Sequence, residues 1–283
     1  MDNALTHAGK FHADDVFAAA LLKIIFPKIR IARTFRSPQN FDGIVFDIGG
    51  GEFDHHQSDA RVRPNGTAYA AFGLIWEKYG RDILRKYGCR EEYLDQAFQH
   101  FDDKFIQPID LDDNTGCGHV FAGMIATFNP TWDSKDDPNT CFFEAVMVAQ
   151  TIVEKKLEHL LSVRRAADMV LKALHEAEEH IVILPKHAPW KPTLAGTDAE
   201  FVVYPSQRGG YAAQSVRTSP ENGKLLYPFP QKWAGKEKAV LTELAGLPTL
   251  NFCHNSRFLV TAGSLEDTVA ACRIAKNTQA PNI

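Results

Sequence analysis

The sequence predicts an α/β protein with an N-terminal domain built on a parallel sheet, a long connecting helix, and a smaller mixed α/β C-terminal domain. Three observations lead to this prediction. Strand-like and helix-like segments alternate over the first 80 residues, as is typical of parallel sheets. Apolar residues then recur at helical spacing over 142–180, and short strand-like runs follow. We therefore expect domains at 1–140 and 181–283, joined by a helix over 141–180.

The N-terminal elements follow from apolar patterning. A nearly all-apolar segment that stops before a proline predicts a buried helix. Alternating Ile and Arg fit a strand, and a short apolar run that ends in Asp before three glycines is typical of a buried parallel strand. The predicted strands lie at 4–6, 29–34 and 43–47, and the predicted helices lie at 14–25 and 68–79.

The remaining elements follow from the same periodicities. Residues 93–127 predict helices that are interrupted around 108–118. The helix predicted next would exceed about 50 Å at ~1.5 Å per residue, which is long enough to join two domains. The C-terminal segments IVILP, EFVVYP, YAAQSV, TLNFCH and RFLVTAG predict strands, and 238–245 and 265–276 predict helices.

Composition and charge narrow the possible functions. Of the 283 residues, 45% are hydrophobic and 23% are charged, as in ordinary globular proteins. The formal net charge of −4 argues against nonspecific coating of duplex nucleic acid, which requires a marked basic excess. A pocket for one or two phosphates stays compatible with this charge, because a pair of divalent ions supplies about four positive charges locally.

The cysteines and the first residues indicate a cytoplasmic protein. Five widely spaced cysteines without a CxxC pair are typical of reduced thiols rather than of a disulfide framework. The first residues lead directly into a motif and lack the features of a signal peptide. Because no apolar run approaches the ~20 residues of a membrane span, we expect no membrane association.

Three short clusters of histidine and aspartate, HAGKFHADD, VFDIGG and FDHHQ, are the most informative feature of the chain. They lie within the first 57 residues and contain four of its eleven histidines. Imidazole and carboxylate together suit divalent first-row metals, and bridging aspartates can hold two such ions a few Å apart. The candidate metal ligands in these clusters are His7, His12, Asp14, Asp47 and His55.

The positions of these residues along the predicted elements support a metal site. Helix capping would account for Asp14 or Asp15, but it does not account for His7 and His12 in the same short segment. Asp47 ends a buried strand ahead of three glycines, where α/β proteins place their ligands. We therefore expect Asp47 to bridge two ions, with an ordinary turn cap as the alternative.

Two further motifs add candidates. In an irregular loop both histidines of the triplet Asp54, His55 and His56 can face one site, so that one binds metal while its neighbour contacts the leaving group or the phosphate. We expect all three to be catalytic. The motif FIQPIDLDDNTG offers Asp110 or Asp113 as a further metal ligand, and an acidic helix terminus or an Asx turn is the alternative.

Basic and polar residues of the C-terminal domain are candidates for substrate binding. Residues 186–238 carry eight Lys and Arg against four Asp and Glu. Adjacent glycines permit close backbone approach to an anion, arginine offers a planar fork for phosphate, and the polar turn HNSR joins two predicted strands. The candidates are Arg208, Gly209, Gly210, Arg217, His254 and Arg257.

Four motifs in order, THAGKFHADDVFAAALL, VFDIGGGEFDHHQ, IDLDDN and FCHNSRFLVTAG, give the chain a family resemblance. The sequence resembles the melanocyte-proliferating-gene (Myg-type) family and, more broadly, the DHH phosphoesterase superfamily. The resemblance implies a DHH-type metal domain, with Asp47, the triplet 54–56, and Asp110 or Asp113 at the positions of the family's later motifs. His12 stands where the superfamily's first motif has a carboxylate. More imidazole favours Zn²⁺, Fe²⁺ or Co²⁺ over Mn²⁺ in affinity.

The residues and the resemblance together predict a metal-dependent phosphodiester hydrolase that uses two divalent ions. We expect Mn²⁺ first, with Mg²⁺, Co²⁺ or Zn²⁺ as alternatives. The resemblance implies a 3′–5′ exonuclease that acts on RNA or short oligonucleotides. Two other functions stay open: a phosphoesterase for small nucleotides or cyclic dinucleotides, and a metal-binding regulatory protein without catalysis. The oligomeric state is open, with a homodimer as one option.

Overall fold

The computed structural model describes residues 2–219 and 223–278, and it confirms the mixed α/β class. The chain forms two compact units, Met1–Leu161 and Ser162–Ile283. Their boundary lies within the long helix α6 (Pro138–His175). This is because apolar residues of α6 up to Leu161 belong to the core of the first unit, whereas Val170 packs in a core of the second.

The first unit contains the predicted parallel sheet. Strands β1 (Asn3–His7), β2 (Arg30–Thr34) and β3 (Ile44–Val45) pair in the order β2-β1-β3. β2 lies on one side of β1 and β3 lies on the other. The direction in which the chain adds strands therefore reverses between β1 and β3. In open α/β sheets, ligands bind outside the carboxyl ends of the strands at this switch point.

Helices cover this sheet. They are α1 (Ala13–Ile25), α2 (Ala71–Lys86), α3 (Glu91–Phe101), α4 (Gln107–Thr115), α5 (Val120–Ala126) and the first part of α6, with a π-helical turn, Asp102–Ile106, between α3 and α4. The apolar run of α1 is buried on nearly all sides and packs against α2. Such all-round burial explains why this helix is hydrophobic over its whole circumference.

Several element boundaries differ from the predicted ones: the helix predicted at 68–79 spans Ala71–Lys86, the long helix ends at His175 rather than at 180, and three further boundaries have a local cause. Pro108 lies in the first turn of α4, where a missing N–H is tolerated, so the helical run breaks only at Gly116, which has φ 65°. The strand predicted over 43–47 ends at Val45. Helix α6 begins at Pro138, since the carboxylate of Asp137 caps its first turn.

The second unit contains the five predicted strands in one mixed sheet. β4 (Ile181–Ile183), β5 (Phe201–Pro205), β6 (Tyr211–Ser215), β7 (Leu250–Cys253) and β8 (Leu259–Ala262) are ordered β4-β5-β6-β8-β7. β4 and β5 are parallel and the other pairs are antiparallel. Its helices are α7 (Lys191–Leu194), α8 (Lys238–Ala245), α9 (Leu265–Thr278) and a 3₁₀ turn, Gln231–Trp233. Among the described residues, no helix has both the length and the apolarity to cross a bilayer.

Candidate metal centre

The histidines and aspartates of the three N-terminal clusters converge at the switch point of the first sheet. His7 is the last residue of β1, and Asp47 follows β3 by two residues. The first turn of α1, which follows β1 along the chain, carries Asp14 and Asp15, both fully buried. Because these segments meet at the same edge of the sheet, residues far apart in the sequence form one polar cluster.

The first turn of α1 supplies carboxylates through its capping geometry. The backbone N–H of His12, the N-cap residue, donates to Asp15 Oδ1 at 3.0 Å. The other oxygen of Asp15 lies 3.0 Å from His7 Nε2. Asp14 Oδ1 is buried and has no hydrogen-bond partner among the described residues, which leaves this oxygen available to a ligand.

Asp47 occupies the centre of the cluster. Its Oδ2 lies 3.1 Å from His7 Nε2, and its Oδ1 lies 3.1 Å from His55 Nε2. The residue has φ 54°, a left-handed conformation that aspartate tolerates better than most residues. Strained backbone of this kind concentrates at functional sites, and here it accompanies a carboxylate whose two oxygens face two different histidines.

His55 links the centre to α4. Its Nε2 lies 3.5 Å from Asp14 Oδ2 and 3.4 Å from Asp113 Oδ2, in addition to its contact with Asp47. The side chain of His55 is only 7% exposed. The residue therefore stands among three carboxylates that come from α1, the loop after β3, and α4.

The neighbouring His56 is held from one side. Asp54 Oδ1 lies 2.7 Å from His56 Nδ1 and also accepts the backbone N–H groups of His55 and His56. The other oxygen of Asp54 accepts the N–H of Gly50 at 2.6 Å. Both oxygens of Asp54 thus accept hydrogen bonds from residues of its own loop. The side chain of His56, by contrast, is 65% exposed.

Among the described residues the cluster contains three sets of side chains that could hold a metal ion, two of which share Asp47. The sets are His7, Asp15 and Asp47; Asp47, His55 and His56; and His12, Asp14 and Asp113. Within each set the potential ligand atoms lie within 4.8 Å of one another. Mixed carboxylate and imidazole donors suit divalent first-row ions, so the donor set fits a metal centre.

The electrostatics of the cluster point the same way. Burial opposes a charge on His7 and on His55, but hydrogen bonds to surrounding carboxylates outweigh it and raise the pKa of each to about 11. Burial raises the pKa of Asp15 to about 7, and burial together with Asp14 raises that of Asp113 to about 8. The carboxylates therefore favour positive charge beside them, which protonated His7 and His55 supply here and which a bound metal ion would supply in place of those protons.

Asp47 behaves in the opposite way. Burial opposes its ionisation, but hydrogen bonds from His55 and His7 outweigh burial and lower its pKa. Asp47 is therefore an anion placed between two histidines, as a bridging ligand must be.

The structure brings together most of the candidate ligands and separates one of them. His7, His12, Asp14, Asp47, His55 and Asp113 all belong to the cluster. Asp110 lies one turn before Asp113 on α4, and its Oδ2 lies 2.8 Å from Arg63 Nη1 instead. Sequence reasoning had assigned Asp15 only a capping role, although the doubled aspartate of HADD was the available signal for a second ligand.

The candidate substrate-binding residues of the second unit do not come together. Arg208, Gly209 and Gly210 form the turn between β5 and β6, whereas His254 and Arg257 lie between β7 and β8. Tyr211 of β6 pairs with Ala262, and Gln214 pairs with Leu259, so these turns lie at opposite ends of the sheet, roughly 14 Å apart at ~3.4 Å per residue. Arg217 follows β6 at the His254 end and donates to Gly223 O at 2.8 Å.

The fold and the cluster define an α/β protein with a candidate metal centre at a switch point of its first sheet. The family model MYG1_exonuc, described as an uncharacterised protein family (UPF0160), matches residues 3–276. The chain therefore belongs to this family, and the Myg-type resemblance is confirmed.

Relatives from animals and a bacterium match over most of their length. The chain is 27% identical to the "MYG1 exonuclease" of Mus musculus over 302 residues, which cover 90% of this chain and 79% of the mouse protein. It is 27% identical to the "MYG1 exonuclease" of Homo sapiens, over 98% of this chain and 87% of that protein. It is 28% identical to the "MYG1 protein" of Chlamydia trachomatis, over 96% and 94%. No solved structure matches the chain at a significant level.

Proposed function

We propose that this protein is a metal-dependent phosphodiester hydrolase that uses two divalent ions and removes nucleotides from RNA or short oligonucleotides as a 3′–5′ exonuclease. The observation that carries the proposal is the position of Asp47, whose two carboxylate oxygens each lie 3.1 Å from a different histidine. A carboxylate in this arrangement suits a bridge between two metal ions. The exonuclease names of the mouse and human relatives support a nuclease reaction, and the Asp-His-His triplet supports a DHH-type centre.

Two ligand sets follow from the geometry. His7, Asp15 and Asp47 would hold one ion, and His12, Asp14 and Asp113 would hold the other, to which His55 and the second oxygen of Asp47 would also be ligands. Bound divalent ions supply an activated water and neutralise the charge that develops on the phosphate oxygens. We expect Mn²⁺ to support the highest activity.

The remaining residues of the cluster position a proton donor. Asp54 holds Nδ1 of His56 at 2.7 Å, which leaves Nε2 as the other polar atom of an exposed ring. His56 would use this nitrogen to orient the leaving oxygen or to give it a proton. Asp54 would act through His56 as a positioning residue, because its oxygens already accept backbone N–H groups.

The second unit carries candidate phosphate-binding groups of its own. Arg217, His254 and Arg257 lie at the same end of its sheet, and arginine recognises phosphate oxygens through two parallel hydrogen bonds. Arg208 lies at the other end and borders a separate cavity of about 520 Å³. We propose the first group for phosphate binding because it combines two arginines with a histidine at one end of the sheet.

A hydrolysis assay with a matched pair of variants tests the proposal. Metal-free protein is loaded with Mn²⁺, Mg²⁺, Co²⁺ or Zn²⁺ and is incubated with 5′-labelled oligoribonucleotides, oligodeoxyribonucleotides, dinucleotides and cyclic dinucleotides. We expect a ladder of shortened RNA products. Asp47→Asn should lower the rate at least about a hundredfold, since even residues that only support metal ligands contribute about 10- to 100-fold.

Asp95→Asn is the control, because Asp95 is an exposed aspartate on α3. It should keep the activity of the unmodified protein. Absence of hydrolysis with every metal would refute the proposed reaction. Cleavage of dinucleotides or cyclic dinucleotides alone, without a ladder, would replace the exonuclease by a small-nucleotide phosphoesterase.

A further inference from the structure

A cavity of about 640 Å³ opens directly beside the metal cluster, entirely within the first unit. His12 and Asp113, two of the proposed metal ligands, form part of its wall, and α5 forms the opposite part. Its volume falls within the roughly 300–1,000 Å³ that is usual for small-molecule sites. A group bound at the metal ligands could therefore extend its remaining atoms into this cavity.

The wall of the cavity combines apolar surface with a few polar atoms. Val120 and Met124 on α5 border the cavity and are 64% and 55% exposed, respectively. His119 also borders it, and its Nδ1 is buried without a hydrogen-bond partner among the described residues. Lys10 adds an exposed positive charge near the metal ligands. A flat apolar ring with polar edges, attached to a phosphate, has the chemistry that this wall would complement.

The backbone at His119 is held by Asp112 of α4, the helix that also carries the proposed metal ligand Asp113. Asp112 Oδ1 accepts the backbone N–H of Gly118 at 2.5 Å and that of His119 at 2.7 Å. Asp112 is adjacent to Asp113 on α4. The loop 116–119 is therefore fixed relative to α4, so the backbone that carries the His119 ring has a defined position beside the cavity.

Gly123 is the second independent observation. Glycine inside a helix is unfavourable compared with alanine, and a packing or functional reason is expected for it. The glycines of α2 have a steric reason, since a Cβ on Gly73 would collide with Asp110 and a Cβ on Gly80 would lie 2.6 Å from Trp76. A Cβ on Gly123 would meet no atom within 4 Å. Gly123 borders the cavity, so its missing side chain keeps this space free.

We propose that this cavity binds the terminal nucleoside of the substrate, with the base against Val120 and Met124 and a polar edge at His119. The inference rests on the proposed hydrolysis, in which the phosphate of that nucleotide lies at the metal ligands. It identifies the substrate class as a chain that presents an unpaired terminal nucleotide, because a base that lies in the cavity cannot be paired with another strand at the same time.

Binding of the expected product tests the inference without turnover. Mn²⁺-loaded protein is titrated calorimetrically with adenosine 5′-monophosphate and, separately, with inorganic phosphate. The nucleotide should bind at least about tenfold more tightly than phosphate. Gly123→Leu and His119→Ala should each weaken nucleotide binding about tenfold or more and leave phosphate binding within about twofold. Gly123→Leu should also raise KM for an oligoribonucleotide.

Matched variants control for indirect effects. Met124→Ala should weaken nucleotide binding, whereas Met147→Ala, on an equally exposed methionine of α6, should not. Gly123→Ala, with a smaller side chain, should have less effect than Gly123→Leu. Metal content and the circular dichroism spectrum establish that each variant is folded. If Gly123→Leu does not fold, nucleotide binding by His119→Ala tests the cavity assignment in its place.

The outcomes separate this inference from the proposed reaction. If the nucleotide binds no more tightly than phosphate, or if the cavity variants bind it as the unmodified protein does, the cavity assignment is overturned even when RNA is hydrolysed. If the cavity variants lose nucleotide affinity but no phosphodiester is hydrolysed with any metal, the nucleoside site stands and the proposed reaction falls.

Discussion

Asp110 and Asp113 lie one turn apart on α4, but their surroundings differ completely. Asp110 is fully buried, lies 2.8 Å from Arg63 Nη1 and accepts the backbone N–H of Gly73 at 3.0 Å. Asp113 lies 3.4 Å from His55 Nε2 in the candidate metal centre. The two residues should therefore serve different purposes, the first in stability and the second in metal binding.

Substitution of each aspartate by asparagine separates these purposes. Asp113→Asn should reduce bound metal and activity about tenfold or more and leave the free energy of unfolding of the metal-free protein nearly unchanged. Asp110→Asn should lower that free energy by about 3 kcal/mol, because a buried arginine loses one of its ionic partners. Urea unfolding and metal analysis of both variants check the prediction. Equal loss of metal in the two variants would contradict it.

Gly123 and Gly80 provide a second contrast at the residue scale. Gly123→Ala should raise the free energy of unfolding by roughly 0.5–1 kcal/mol, because alanine favours a helix and a Cβ there meets no atom within 4 Å. Gly80→Ala should lower it by about 1–3 kcal/mol, since its Cβ would lie 2.6 Å from Trp76. Urea unfolding of the metal-free variants measures both. A destabilised Gly123→Ala would show that the space beside α5 is smaller than described.

At the scale of single elements, the start of α6 depends on one capping residue. Asp137 accepts the N–H groups of Asn139 and Thr140 at 3.3 and 3.1 Å, and these hydrogen bonds lower its pKa. Pro138 then occupies the first helical position, where its fixed φ is favourable.

Asp137→Ala should therefore lower the free energy of unfolding by about 1 kcal/mol. Glu144→Ala, an exposed position further along α6, is the control and should change it by no more than about 0.5 kcal/mol. Chemical unfolding at neutral pH measures both. An Asp137→Ala variant as stable as the Glu144→Ala control would show that the cap does not limit the stability of the first unit.

The elements themselves could be predicted to a large extent from periodicity, whereas several local features could not. The apolar run of α1 and the alternation of β2 each lie where the sequence predicts them. The π-helical turn before α4 has no periodic signature, so Pro108 was expected to break a helix that in fact begins there. Likewise, β3 ends at Val45 and Asp47 has a φ of 54°. The side chain of Asp47 contacts His7 and His55, which lie on other segments of the chain, so the apolar pattern of the strand did not indicate this conformation.

The candidate site shows the same division. Histidine and aspartate types and their spacing were sufficient to predict that the N-terminal candidates lie together, because few other reasons place so many of them in short segments. The choice between Asp110 and Asp113 required the position of Arg63, which pairs with Asp110 from a distant loop. The two groups of substrate-binding candidates in the second unit could not be separated without the pairing of β6 with β8.

At the scale of the whole molecule, the candidate metal centre belongs to the first unit alone. Its ligands come from β1, α1, the segment after β3, and α4, all before residue 161. Several carboxylates are brought together there, and in the metal-free protein hydrogen bonds to them raise the pKa of His7 and His55, so a bound ion would take over the balance of charge from these two histidines. Metal binding should therefore contribute directly to the stability of this unit, since an ion that binds only the folded state shifts the unfolding equilibrium.

Loading with Mn²⁺ should stabilise the first unit more than the second. At a hundredfold excess of the ion over its Kd, the gain is about 2.7 kcal/mol, which corresponds to roughly 5–11 °C in Tm for a unit of this size. Amide hydrogen exchange on the full chain, followed by mass spectrometry, should show stronger protection in peptides from β1, α1 and α4, with little change in β5 and β6. Asp47→Asn should abolish the difference, and Asp95→Asn should retain it. Equal protection of both sheets, or protection that persists in Asp47→Asn, would place the bound ions elsewhere in the protein.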